Sequence, residues 1–361
     1  DVPEWSGQWL SWFLPLIGAI SVFPGRYHSE SITTIRRSLF ESPHPLALAP
    51  EGQLSYHNER VPALETGTAQ LAFWCMEDLR KASRTEDVVI LPVCTSYHYD
   101  PRDWKGLVRL LARVEREVGL EPAAEDPSAQ HTPPDGEGRL RIYERTLAVT
   151  DRIASLAEAY YERFYGVHFH PSSGGSAPEE LQGRLTAICE AVLSMVEERL
   201  QLVAKGDFVR RVMAIRQAGF LRQCRDDIAD LDALSPVEKR MADRVAQEAW
   251  LLLRHMELID VLEYFDMGYL APDSSFDRFV ETITDLWDIA NRLEGGNVSG
   301  RVNPFWKTAR IVVNEPIAVS SRWDAYVANR RRAVDELTDD ILKSFRSVAE
   351  PADRGVRRSG V

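Results

Sequence analysis

Apolar residues recur along most of this chain at the three- and four-residue spacing of a helix, and the exceptions cluster toward its two ends. The pattern predicts helices over about 104–118, 139–165, 179–204, 207–231, 236–264 and 276–293, punctuated by Pro-, Asp- and Gly-rich breaks at 121–138, 166–178 and 295–300. Ile32, Ile35 and Leu39 share one face of a helix over 31–40 and turn Arg36 and Arg37 away, and a further helix is expected over about 67–81. A last helix over about 322–347 carries Ala333, Val334, Leu337 and Ile341 on one side.

Four short apolar stretches break this rhythm. Ala19–Phe23 ends at Pro24-Gly25-Arg26, Leu46–Ala49 lies between Pro45 and Pro50, Val88–Val93 is a nearly unbroken apolar run, and Ala309–Val319 is β-branched and ends around a proline. Each reads as a strand. Strands alternating with helices predict an α/β fold with a mostly parallel sheet flanked by helices, and the opening unit reads as βαβ. A late strand isolated among helices would have unpaired edges, so the 309–319 stretch is expected to return to the N-terminal sheet. That makes residues 105–304 a large all-helical insertion before the last strand. Residues 1–104 then form the first part of the core, 305–350 its closing strand and helix, and 351–361 a flexible tail.

Composition adds two constraints. The net charge of -12 argues against nucleic acid as a partner, since phosphate neutralisation needs a basic face. The negative balance lies mainly in the C-terminal two thirds. Cys75, Cys94, Cys189 and Cys224 are widely spaced with no Cys-x-x-Cys pair, which fits free thiols in a reducing, cytoplasmic setting and gives no zinc pattern. Trp5–Gly25 contains no charged residue. Its serines, Gln8 and Pro15 make it a poor membrane span, so it reads either as a buried helix running into a strand or as a membrane-seated segment. Trp5, Trp9 and Trp12 share the face that would meet an interface.

The candidate chemistry centres on Pro50-Glu51-Gly52. A carboxylate at a strand end beside a glycine is either a solvated turn or a site group that backbone can approach closely. In order along the chain, Leu16–Val22, Leu48-Ala-Pro-Glu-Gly-Gln-Leu-Ser55, Val89-Ile-Leu-Pro-Val93 and Ile311-Val-Val-Asn-Glu-Pro-Ile317 resemble the second, third and fourth blocks and the closing strand of the glycerol-phosphate and lysophospholipid acyltransferase family. The resemblance covers about residues 1–104 and 305–348. It implies transfer of an acyl chain from acyl-CoA or acyl carrier protein to a glycerol-phosphate or lysophospholipid hydroxyl, at a membrane surface, in phospholipid synthesis. It asks for no metal and no cofactor beyond the thioester. It assigns the acceptor-binding role to Arg26, Pro50, Glu51, Gly52 and Ser55, while Arg36, Arg37 and Arg60 read either as further phosphate contacts or as solvated helix and loop charges. Trp9, Trp12, Phe13, Phe73 and Trp74 read either as core or as the border of an acyl channel.

The family's first block, His-x-x-x-x-Asp, supplies the general base, and no histidine precedes His28 in this sequence. The resemblance therefore implies a catalytic pair upstream of Asp1, or else a catalytically inactive lipid- or protein-binding module. His98-Tyr-Asp-Pro-Arg-Asp103 and His255-Met-Glu-Leu-Ile-Asp260 fit the spacing but not the position, and read as coincidences. Asp226-Asp-Ile-Ala-Asp230 has the form of a helical magnesium-diphosphate motif without the second motif such sites need, and reads as a solvated face. His168 and His170 lack a third ligand, and Asn297-Val-Ser299 is a chance glycosylation match.

Overall fold

The computed structural model describes residues 13–14, 16–20, 29–52, 55–123, 134–169, 175–203, 205–224, 228, 230 and 232–349. The described chain divides into two units, one drawn from the residues up to Tyr99 and from Trp306 onward, the other from Asp100–Phe305.

The first unit is built on α1 (Ser29–Glu41), α2 (Gly67–Lys81), β1 (Val89–Ile90) and β2 (Val93–Tyr99), then β3 (Lys307–Val313) and β4 (Ile317–Ala318), which follow the second unit in the chain. Helices α9 (Trp323–Ala328) and α10 (Arg330–Ala349) complete it. The expected single helix over 322–347 breaks at Asn329, whose extended backbone (φ -153, ψ 97) ends α9. The small residues Ala69 and Ala72 let α2 approach α10 closely. Phe73 and Met76 then meet Val334, Leu337 and Ile341 in one apolar core that also takes in Val319 and Tyr326. The rings of Phe73 and Tyr326 stack with centroids 4.2 Å apart and planes 7° off parallel. Helix α1 is tied to α2 by the two-pronged ion pair of Arg36 with Asp78 (2.7 Å).

The expected parallel sheet is not what forms. The structure is 63% helical, and its described strands make only two small antiparallel two-stranded sheets, β1 with β4 and β2 with β3. Proline explains part of the difference, because it cannot donate to a ladder. Val88–Val93 is interrupted at Leu91-Pro92, and the late stretch is interrupted in the same place by Asn314-Glu315-Pro316. The two stretches run antiparallel on both sides of this gap, Val93–Tyr99 opposite Lys307–Val313 and Val89–Ile90 opposite Ile317–Ala318. Across the gap Asn314 N–H still donates to Pro92 C=O at 2.9 Å. Leu46–Ala49, between Pro45 and Pro50, makes no strand, and Leu48 is 42% exposed. The βαβ opening is also absent from the described residues: Ala19 and Ile20 are not in a strand, and residues 21–28 lie outside them.

The second unit is helical: α3 (Trp104–Glu117), α4 (Gly136–Tyr165), α5 (Ala177–Arg199), α6 (Phe208–Gln223), α7 (Pro236–Leu262) and α8 (Phe276–Leu293). Side-chain caps start several of them, as in the Asp103 carboxylate accepting from Gly106 N–H (3.0 Å) and the reciprocal Ser235–Glu238 capping box. Helix α6 stops at Gln223, short of the expected 231, so Asp230 is not helical; Asp226 and Asp227 lie outside the described residues. Helix α8 is buried on almost every side. Its polar face survives there because Tyr269 Oη donates to Glu281 (2.5 Å), while Arg301 pairs with Asp285 (3.0 Å) and Asp288. No described helix is long and apolar enough to cross a membrane.

Truncating Phe73 to alanine removes both the α2–α10 contact and the ring stack, and is expected to lower the first unit's stability by about 3–5 kcal/mol. Urea unfolding followed by circular dichroism checks this; an unchanged midpoint would mean that the α2–α10 core is not formed as described.

Candidate functional site

The site is assembled in the first unit where the Glu51 turn and the segment after it meet strand β2. Pro50 C=O accepts from Glu65 N–H at 2.7 Å, closing residues 50–65 into a loop. Gly52 has the left-handed φ of +74, and a Cβ there would sit 3.0 Å from the Glu65 side chain, so the turn calls for glycine twice over. Ser55 is buried at 7% exposure. Three residues later the Asn58 side chain docks on the backbone of β2: its Nδ2 donates to Tyr97 C=O (2.5 Å) and its Oδ1 accepts from Tyr97 N–H (2.7 Å). The side chain thus stands in for one rung of a neighbouring strand along the edge that β3 leaves unpaired.

Asn58 also fixes the phase of the ladder. Both polar groups of Tyr97 point away from β3, so Tyr97 and Ala309 are a non-hydrogen-bonded pair and Ser96 and Arg310 are a hydrogen-bonded one. Cys94, Ser96 and His98 therefore share one face of the ribbon with Val312, Arg310 and Thr308. On that face the Ser96 hydroxyl lies 3.0 Å from His98 Nε2, and Cys94 Sγ approaches Phe345 C=O of α10 at 4.0 Å.

Glu51 is half-buried, and burial raises its carboxyl pKa above the ordinary value. The Cys94 thiol is pushed up first by its own burial and then by the charge of Glu51, which puts the carboxylate within electrostatic reach of the Cys94–Ser96–His98 face. Burial thus disfavours the Cys94 thiolate, and the polar side chains of the face are Ser96, His98 and Arg310.

Of the residues singled out by sequence, Pro50, Glu51, Gly52 and Ser55 come together in this loop, and Arg26 lies outside the described residues. Arg36 is committed to Asp78, and Arg37 to Glu41 at 2.8 Å. Phe73 lies in the apolar core and Trp74 under the Arg36 guanidinium; Trp9 and Trp12 lie outside the described residues. Both His-x-x-x-x-Asp look-alikes are otherwise engaged. Asp103 caps α3, His255 Nδ1 is 3.0 Å from the Tyr161 hydroxyl, and Asp260 pairs with Arg216. No cluster of three or more potential metal ligands occurs among the described residues. A separate apolar groove, lined by Val118, Ile153, Leu156, Ala290 and Leu293, belongs to the second unit and holds none of these groups.

No protein-family model, curated protein or solved structure matches the chain. Whatever the site does must therefore be argued from its own side chains. Asn58, Ser96 and Arg310 escaped the sequence reading. The alternation of residues 94, 96 and 98 was visible, but the partner register that sets Arg310 opposite Ser96 was not.

Glu51 gives a pH-dependent prediction. Its folded pKa is raised, so the stability it contributes is fully present below the unfolded carboxyl pKa and is lost as pH rises through the folded value. Glu51→Gln is expected to stabilise the chain at neutral pH and to change little in acid. Urea midpoints of the two proteins across that range test it, and a variant less stable at neutral pH would contradict the burial argument.

Proposed function

We propose that this chain carries the acceptor side of an acyl-transfer site, moving a fatty acyl group from acyl-CoA or acyl carrier protein to the hydroxyl of a glycerol phosphate or lysophospholipid at a membrane surface. One observation carries the reading. Three segments far apart in sequence that share the acyltransferase-like pattern, the Glu51 turn, the 89–93 stretch with the strand it leads into, and the late strand, converge in one unit around β2. The support is this convergence and the chemistry of Glu51, independent of any parallel sheet.

In the reaction the acceptor oxygen attacks the thioester carbonyl, the hydroxyl proton passes to a base, a C–O bond forms, and the C–S bond breaks. The departing thiolate takes up the proton. Glu51, half-buried at a loop that glycine keeps open, accepts a hydrogen bond from an acceptor hydroxyl and holds it for attack.

Glu51→Gln in the full-length protein is expected to slow thiol release from acyl-CoA, with glycerol 3-phosphate or lysophosphatidate as acceptor, by roughly tenfold or more, with the circular dichroism spectrum retained. Unchanged thiol release would remove Glu51 from the site.

A further inference from the structure

An acceptor carrying a phosphate needs a cation beside the hydroxyl-binding group, and two of the arginines expected to provide it are committed elsewhere, Arg36 to Asp78 and Arg37 to Glu41. Arg310 is different. It is exposed, and its guanidinium has no ion-pair or hydrogen-bond partner among the described residues. As the hydrogen-bonded partner of Ser96, its Cα lies about 5.5 Å from that of Ser96, on the face where the Ser96 hydroxyl and His98 Nε2 are 3.0 Å apart. An arginine side chain that shares a ribbon face with a hydroxyl and an imidazole offers a donor set suited to the oxygens of a phosphate, which Arg engages in a two-pronged manner.

We propose that Arg310, Ser96 and His98 form a subsite for a phosphate monoester, the phosphate end of the acceptor whose hydroxyl Glu51 holds; this rests on the acyl-transfer reading.

The test is calorimetric titration of the full-length protein with sn-glycerol 3-phosphate, with glycerol as the neutral control, together with sedimentation of phosphatidylcholine vesicles with and without lysophosphatidate. The expected result is binding of the phosphate ester but not of glycerol, weakened roughly tenfold or more in Arg310→Met, weakened less in Ser96→Ala, and partly restored in Arg310→Lys. Loss confined to the soluble ester identifies free glycerol phosphate as the ligand, and loss confined to the vesicles identifies the lipid headgroup. Failure of the wild-type protein to bind either form, or equal binding by Arg310→Met and wild type, overturns the subsite. The outcome is separable from the acyl-transfer reading. If Arg310→Met loses phosphate binding while thiol release ignores Glu51→Gln, the subsite stands and the reaction falls. If thiol release depends on Glu51 but its KM for glycerol 3-phosphate ignores Arg310→Met, the reverse holds.

Discussion

The antiparallel ladder between residues 93–99 and 307–313 is the constraint on which the first unit depends. It joins two stretches with an entire helical unit between them in sequence, so its entropic cost of closure is carried by non-local contacts alone. Seven paired positions do not make a stable structure by themselves, because an isolated two-stranded ribbon is marginal in water. The ribbon persists because α2 and α10 close a core beside it, through Phe73, Tyr326, Leu337 and Ile341, and because Asn58 occupies part of its free edge. The same contacts bring the Glu51 loop to β2, so the candidate site and the closure of the chain are one structural event.

Polar groups are handled differently in the two units. In the second, α8 buries Glu281, Asp285 and Asp288, and each is offset by a donor from a neighbouring segment, Tyr269 or Arg301. One Asp288 oxygen has no hydrogen-bond partner among the described residues, and burial raises that carboxyl's pKa. These groups are enclosed, and their role is to set how the helices fit. In the first unit Glu51 is only half-buried and Arg310 is exposed. Groups reachable from solvent on a backbone pinned by prolines, glycine and Asn58 are suited to binding, whereas enclosed ones are suited to holding shape.

The helices were legible in the sequence because apolar residues recur at helical spacing between polar, Pro- and Gly-containing breaks. The 67–81 and 276–293 expectations coincide with α2 and α8. The strands were misread for an equally physical reason. A short apolar run such as Val88–Val93 looks like a strand covered on both faces, yet Val89 and Val93 in the strands and Leu91 in the gap between them are each roughly half exposed. Apolar composition reports a preference for β structure but says nothing about how many partners a strand finds or in which direction they run. Glu51 and Gly52 stood out because turn chemistry is local. Ser96 and Arg310 did not, because their neighbourhood exists only once residues far apart in sequence are set in register.

The candidate site exists only in that register, and the register can be trapped directly. Thr95 and Ile311 form a non-hydrogen-bonded pair in the register described, with Cα atoms about 4.5 Å apart and both side chains on the outer face, away from Cys94. Under mild oxidation, the double variant Thr95→Cys, Ile311→Cys is predicted to form a disulfide between those two positions, identified by peptide mass. Free thiols at both positions under the same oxidant, or cross-linking of position 95 to a different residue, would contradict the ladder and the site built on it.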